Sequence, residues 1–112
     1  MPECPFCAIV AGHLPATVVY RDEAVTAFQD INPIAPTHIL VVPNRHIATL
    51  NDLDDADLAG RLLLTCQRVA HAAGLAEGGY RVVNNVGSQG GQHVYHIHLH
   101  VLGGRRLTWP PG

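Results

Sequence analysis

The sequence predicts an α+β fold, an antiparallel sheet of about five strands with one long helix and a short N-terminal helix. Short β-branched segments follow one another across turns marked by Pro, Gly and Asp, so neighbouring strands can pair antiparallel. Only the stretch 54–73 repeats apolar residues at helical spacing. Because 112 residues, 47% of them apolar, suffice for one core but hardly for two, we expect a single domain over 1–112.

The N-terminal half is predicted to contain four elements separated by turn-forming residues. They are a short helix over 4–11 that ends at Gly12, strands over 17–21 and 25–29 joined at Asp22-Glu23, and a buried strand over 38–42. Residues 30–37 carry two prolines and must be irregular. This loop therefore leads directly into the buried strand.

The C-terminal half begins with the long helix over 54–73. Its apolar face is predicted to consist of Leu58, Leu62, Val69 and Ala73, while acidic residues crowd its first turn and Gly74 ends it. The remaining elements are a strand over 80–85, a glycine-rich loop over 87–91, a strand over 94–102 and an irregular tail over 103–112.

Composition argues against several classes of protein. The chain carries 7 Lys and Arg, without a basic stripe, and a formal net charge of −2, so nucleic acid is not an expected partner. No apolar run approaches the ~20 residues that cross a bilayer, which indicates a cytoplasmic location without membrane contact. Two of the three cysteines form the pair Cys4-Pro5-Phe6-Cys7, which suits reduced thiols or a metal better than a disulfide framework.

Histidine is the unusual residue of this sequence, since 4 of the 8 histidines lie between residues 93 and 100. In a strand, His96, His98 and His100 would share one face. Three aligned imidazoles could bind a catalytic zinc that activates water. Alternatively, one imidazole is a nucleophile whose second nitrogen is held by a hydrogen bond. The preceding glycine-rich loop could bring backbone N–H groups to a phosphate.

The segment His96-Ile97-His98-Leu99-His100-Val101-Leu102 resembles the signature of the histidine-triad family, three histidines alternating with apolar residues. Further segments resemble its nucleotide-binding (HINT) branch: Asp30-Ile31-Asn32-Pro33, Ala35-Pro36-Thr37-His38, Pro43-Asn44-Arg45-His46-Ile47, Gly90-Gly91-Gln92, Val101-Leu102-Gly103-Gly104-Arg105 and Trp109-Pro110-Pro111-Gly112. The resemblance covers essentially the whole chain. It implies a homodimeric hydrolase that binds purine nucleoside monophosphates and cleaves phosphoramidates such as AMP-amine or AMP-lysine.

The resemblance also implies catalytic roles. His98 would attack the α-phosphorus and become transiently nucleotidylated, after which water releases the nucleotide. His100 would contact the phosphate, while His38 would assist the hydrogen-bond network and His96 would either join that network or bind a metal. His93 stands where many relatives carry a serine that helps to protonate the leaving amine. Its imidazole could serve as an alternative acid or lie passively at the rim.

For the nucleoside, the resemblance implies that Asp30 accepts hydrogen bonds from the ribose hydroxyls. The base slot would be formed by Phe6, Phe28 and Ile31. Asn85 matches a polar position of the nucleotide site, and the backbone at Gly91 and Val94 would border the phosphate. Phe6 and Phe28 are nearly as compatible with a place in the core, and Asp30 remains compatible with a turn before the Asn-Pro step.

A structural zinc held by Cys4, Cys7, His46 and His96 is a further implication, with no cofactor for catalysis. Four protein ligands leave no position for a reactive water. Such a site would commit His96 to the metal, which argues against a three-histidine zinc hydrolase. A nucleotide-binding regulatory module with incidental turnover is the third alternative. The tail over 103–112 is expected near the active site of the dimer partner.

Overall fold

The computed structural model describes residues 4–112 and confirms the α+β fold. Five strands form one antiparallel sheet in the order β1-β2-β3-β5-β4. The elements are α1 (Pro5–Val10), β1 (Val18–Arg21), β2 (Val25–Gln29), β3 (Thr37–Pro43), α2 (Ala56–Ala72), β4 (Tyr80–Asn84) and β5 (Leu99–Gly103), with a 3-10 turn at Leu50–Asp52. None of the helices within this range is long and apolar enough to cross a membrane.

Helix α2 covers one face of the sheet. Asp55 caps its N-terminus by accepting the N–H of Leu58 at 3.1 Å, and Gly74, with a φ of 77°, ends it. The core beneath α2 contains Leu58, Leu62 and Val69 from the helix and Ala27, Ile39, Val41 and Val101 from the strands. Ala73 was predicted to join this face but is exposed, because the helix ends one residue earlier and Leu75 is buried instead.

Helix α1 packs on the opposite face of the sheet but has only 6 residues. Cys4 caps it, since its Sγ accepts the N–H of Cys7 at 3.3 Å. Phe6 and Ile9 are buried against three side chains of β2 and β3, Phe28, Leu40 and Val42. So short a helix covers only part of the sheet, and the rest of this face stays open.

Strand β5 begins at Leu99, so the prediction of a strand from Val94 was wrong at its N-terminal end. The approach to β5 is irregular because the N–H of Ile97 donates to the carbonyl of Ile47 and not to β3. The alternation of sides continues nevertheless: Ile97, Leu99 and Val101 contact the core beneath α2. The alternation does not extend one step further towards the N-terminus, because Tyr95 is 47% exposed.

Candidate active site

A cleft of about 1340 Å³ occupies the open face of the sheet. The adjacent strands β3 and β5 place His38 and His100 on this face, because side chains alternate between the two faces. The cleft brings together the predicted nucleotide-site residues Phe6, Phe28, Asp30, Ile31, His38, Asn85, Gly91, His93, Val94, His98 and His100. His96 is absent from this lining and is fully buried.

His98 presents an unprotonated ring nitrogen. Its Nδ1 lies 2.8 Å from the carbonyl oxygen of His96. A carbonyl can only accept, so Nδ1 carries the proton of the neutral ring and Nε2 keeps its lone pair. The ring of Phe6 meets that of His98 at 88° with 5.0 Å between centroids, which holds the imidazole in this orientation.

His38 and His100 are joined by a hydrogen bond in which His38 is the donor. The N–H of Ile34 donates to His38 Nδ1 at 3.1 Å, so the proton of His38 is on Nε2. This Nε2 lies 2.9 Å from His100 Nδ1 and 3.3 Å from Asp30 Oδ2. His100 Nδ1 therefore accepts, and Nε2 of His100 is an N–H donor. The donor ring stands beside His98, with 5.0 Å between the two centroids.

Burial favours the neutral form of these histidines. Desolvation lowers the pKa of His38, His96 and His98 below the usual value of about 6.5. The pKa of His100 falls to about 4, because repulsion from His98 and His38 adds to the desolvation. His98 is thus available as a neutral imidazole near pH 7.

We expect the free energy of unfolding to decrease as the pH falls from about 6.5 towards 4. In this window the unfolded chain binds more protons, because folded His100 stays neutral down to its pKa of about 4. Urea denaturation at several pH values measures the effect. His100→Gln should flatten the pH dependence. Equal slopes in wild type and H100Q would contradict this account.

The glycine-rich loop is held by two amide side chains. Gln92 is buried, accepts the N–H of Gly87 at 3.0 Å and donates to the carbonyl of Ala48 at 2.8 Å. Asn85 donates to the carbonyl of Gly90 at 2.7 Å. A side chain at Gly90 would collide with the backbone of Val86, so the tight path requires glycine there. The loop therefore borders the cleft in a defined conformation.

Asn84 is a positioning residue that the sequence did not reveal. At the end of β4 its Nδ2 donates to the carbonyl of His98 at 2.9 Å. Its own Oδ1 is buried without a hydrogen-bond partner among the described residues. The only sequence signal is a polar side chain at a strand end, next to Asn85.

The nucleoside end of the cleft combines core and site residues. Phe6 and Phe28 are buried and pack edge to face at 5.4 Å, and both also line the cleft, so their place in the core leaves them accessible from the cleft. Ile31 is 90% exposed at the rim. Asp30 forms a turn by accepting the N–H of Asn32 at 2.8 Å, while its second carboxylate oxygen faces His38.

The rim of the cleft contains His93, which is exposed, and residues of the C-terminal tail. Arg81 donates to the carbonyl of Thr108 at 2.7 Å, and Arg105 donates to the carbonyl of Ile34 at 3.0 Å. These bonds tie the tail to β4 and to the loop before β3. The tail thus lines the cleft of its own chain, a contact that the sequence did not predict.

Cys4, Cys7, His46 and His96 converge so that their ligand atoms all lie within 4.8 Å of one another. His96 Nδ1 is 3.3 Å from Cys4 Sγ and 3.5 Å from Cys7 Sγ, and His46 Nδ1 is 3.4 Å from Cys7 Sγ. Tetrahedral zinc separates nitrogen and sulfur ligands by about 3.6 Å, so the donor set fits this metal. The second nitrogen of His96 donates to the carbonyl of Pro43 at 2.9 Å, which leaves Nδ1 free to bind.

The three signature histidines do not form a metal-binding group among residues 4–112. His98 Nδ1 is occupied by a carbonyl, and His96 Nδ1 faces the two sulfurs. Their nitrogens do not converge on one point. The geometry therefore does not support a zinc held by all three.

Comparison with known proteins gives a consistent result. The HIT domain family matches residues 11–107. The purine nucleoside phosphoramidase of Escherichia coli K12 is 47% identical over 107 residues, which cover 94% of this chain and 90% of that protein. The structure of a HIT family hydrolase from Legionella pneumophila Philadelphia 1 matches with a TM-score of 0.95 and 55% identity, covering 98% of this chain and 100% of that one.

The histidine triad nucleotide-binding protein from Candida albicans matches with a TM-score of 0.85 and 30% identity, covering 96% of this chain and 83% of that chain. The cleft histidines, the sheet order and these matches agree with one another. The chain belongs to the histidine-triad (HIT) family.

Proposed function

We propose that this protein is a purine nucleoside phosphoramidase that cleaves the P–N bond of a nucleoside 5′-phosphoramidate at its α-phosphorus. The tautomer of His98 carries the proposal, because the hydrogen bond from Nδ1 to the His96 carbonyl leaves Nε2 as a nucleophile in the cleft. The 47% identical Escherichia coli relative bears the name of this activity. Adenosine phosphoramidates of amines, including AMP-lysine, form the substrate class.

The reaction proceeds in two displacements at phosphorus. His98 Nε2 forms a bond to phosphorus while the P–N bond to the leaving amine breaks, and the amine nitrogen keeps the electron pair and takes a proton. Water then attacks the phosphoimidazole and releases a proton, which replaces the one taken by the amine, and the electron pair of the P–N bond returns to His98. The positive charge on this imidazole makes it a good leaving group. The N–H of His100 stabilises the charge on the phosphoryl oxygens.

The remaining cleft residues bind the nucleotide. Asp30 accepts hydrogen bonds from the ribose hydroxyls. The backbone at Gly91 and Val94 borders the phosphate, and Asn85 is a further polar residue of the nucleotide site. The base lies in an apolar slot formed by Phe6, Phe28 and Ile31. His38 keeps His100 in its donor tautomer through their 2.9 Å hydrogen bond.

His93 acts as the acid for the leaving amine. It lies at the exposed rim of the cleft that contains His98, and an imidazole can donate a proton near neutral pH. Its contribution should grow with the basicity of the amine. Hydrolysis rates of phosphoramidates made from a series of amines, measured for wild type and His93→Ala, test this. If the rates of both proteins depend on amine basicity in the same way, His93 is a passive rim residue.

Zinc is the one metal that we propose, and its role is structural. Cys4, Cys7, His46 and His96 would hold it and so join α1 to the segment before β5. Bound zinc would keep both thiols as thiolates and fix the N-terminal helix. The reaction itself needs no cofactor.

The functional unit that we propose is a homodimer of chains that each form one domain over 1–112. Strand β4 is at an edge of the sheet, and Leu63 and Leu64 of α2 are 60% and 64% exposed, so a second copy could cover them. The tail over 103–112 would then also approach the partner's site. A monomer in sedimentation experiments at micromolar concentration would refute this.

The location that we propose is cytoplasmic, and cell fractionation tests it. We expect neither nucleic acid nor a membrane as a partner.

The proposal is tested by incubating the protein with an adenosine phosphoramidate of an aliphatic amine. We expect AMP and the free amine as products. Removal of metal should lower the unfolding temperature and reduce activity only in part. A complete loss of activity in metal-free protein that remains folded would favour a zinc hydrolase. Binding of AMP or GMP without turnover of any phosphoramidate would favour the nucleotide-binding module.

A further inference from the structure

We propose that Cys4 and Cys7 are an oxidation site for hydrogen peroxide, and that formation of a disulfide between them displaces the side chains that hold His98. The consequence for catalysis rests on the proposed function. The oxidation itself and its effect on the His98 imidazole do not.

The two sulfurs are placed to react with each other. Both lie against the same atom, His96 Nδ1, at 3.3 and 3.5 Å. Cys4 and Cys7 are partly exposed, so peroxide can reach them, whereas the third cysteine, Cys66, is buried in the core.

Closing the disulfide must move both sulfur atoms. Two sulfur ligands of tetrahedral zinc lie about 3.8 Å apart, whereas the bond of a disulfide is about 2.05 Å long. The bond would also withdraw Cys4 Sγ from the N–H of Cys7, which it caps at 3.3 Å. Oxidation therefore disturbs the cap of this short helix and changes the chemistry of the two thiols.

One route from the thiols to the nucleophile passes through His96. Its side chain is fully buried, with Nε2 donating to the Pro43 carbonyl and Nδ1 directed at the two sulfurs. A disulfide cannot hold a metal together with this nitrogen, so a buried polar atom loses its partner. The carbonyl of the same residue accepts the proton of His98 Nδ1 at 2.8 Å. A shift of His96 is thus passed to the group that sets the tautomer of His98.

The second route passes through Phe6, which lies between the two cysteines in the sequence. Its ring is 5.0 Å from the ring of His98 and 6.0 Å from that of His96, and it lines the cleft. A movement of the first turn of α1 carries this ring with it. Both supports of the nucleophile are therefore attached to the oxidisable pair.

The chemistry is a balanced two-electron oxidation. Each thiolate loses one electron as the S–S bond forms, and the peroxide O–O bond breaks. With 2 protons taken up, one peroxide yields 2 water molecules. Zinc held by Cys4, Cys7, His46 and His96 would lose two of its four ligands and be released. Dithiothreitol followed by zinc reverses the change.

The test treats the zinc-loaded protein with a small excess of hydrogen peroxide. We expect the peptide that contains residues 4–7 to lose two hydrogens by mass spectrometry, with one zinc released for each disulfide to a chromogenic chelator. The NMR signals of the His98 imidazole should shift, and phosphoramidate hydrolysis should fall about tenfold or more. Reduction with dithiothreitol, followed by addition of zinc, should restore the peptide mass, the bound zinc, the His98 signals and the hydrolysis rate.

Two variants make the test specific. Cys7→His keeps four zinc ligands but cannot form the disulfide, so peroxide should leave its zinc bound. Cys66→Ala keeps the pair and should respond as wild type does. Oxidation of Cys4 and Cys7 to sulfinic acids, zinc loss from C7H at the wild-type rate, or a disulfide that leaves the His98 signals unchanged would each overturn the proposal. If no phosphoramidate is cleaved at all, the proposed function fails while these readouts still decide the inference.

Discussion

Replacement of His98 by asparagine is expected to lower kcat for phosphoramidate hydrolysis by at least about three orders of magnitude. The amide of asparagine can still donate to the His96 carbonyl, as His98 Nδ1 does at 2.8 Å. The asparagine side chain, however, has no basic nitrogen that could attack phosphorus. The variant should therefore keep the local structure and the nucleotide affinity while it loses the reaction.

The covalent intermediate distinguishes this role from simple binding. Quenching wild type during turnover with an alkaline denaturant, in which a P–N bond to imidazole persists, should trap a nucleoside monophosphate on the peptide that contains His98, and mass spectrometry should find none in H98N. Replacement of His71, which is exposed on α2, serves as the matched control and should change nothing. Activity of H98N within tenfold of wild type, or an adduct on another histidine, would refute the assignment.

Replacement of Asp30 by asparagine is expected to lower kcat/KM for a ribonucleoside substrate about 100-fold. A hydrogen bond to an ionised carboxylate contributes about 1.5–3 kcal/mol, and a neutral amide recovers only part of it. The asparagine oxygen can still accept the N–H of Asn32, so the turn that Asp30 forms at 2.8 Å should survive. The variant thus changes the charge without removing the turn.

A 2′-deoxynucleoside substrate supplies the second half of this experiment. If Asp30 binds the ribose, D30N should affect the deoxy substrate much less than the ribo substrate, because one of the hydroxyls is already absent. Equal losses with both substrates would mean that the carboxylate acts through His38, which lies 3.3 Å away, and not on the sugar.

The boundaries of helices and strands were predictable from the sequence where residues next to the boundary set them. Helix α2 begins at the cap Asp55 and ends before Gly74, close to the predicted span of 54–73. Strand β2 has the predicted bounds. Helical and strand periodicity also assigned Leu58, Leu62 and Val69 to the core.

The start of β5 was not predictable, because it depends on a distant backbone group. Residues 94–98 alternate like a strand, yet the carbonyl of Ile47 takes the N–H of Ile97 and ends the pairing with β3. Asn84 and Arg81 were missed for a similar reason. Their partners, the carbonyls of His98 and Thr108, are 14 and 27 residues away along the chain.

The sequence by itself determined the composition of the site: three histidines at alternate positions, a glycine-rich loop before them and a Cys-x-x-Cys pair at the other end of the chain. Their alternation alone left the three imidazoles chemically equivalent, and the separate roles expected for them came from the resemblance to the histidine-triad family. Only the tertiary structure decided which ring nitrogen of each histidine is free, because the proton of a neutral imidazole goes to the nitrogen that meets an acceptor. His96 donates from Nε2 to the carbonyl of Pro43, so its Nδ1 faces the thiols. His98 donates from Nδ1 to the carbonyl of His96, so its Nε2 is free. His100 accepts at Nδ1 from His38, so its Nε2 is a donor.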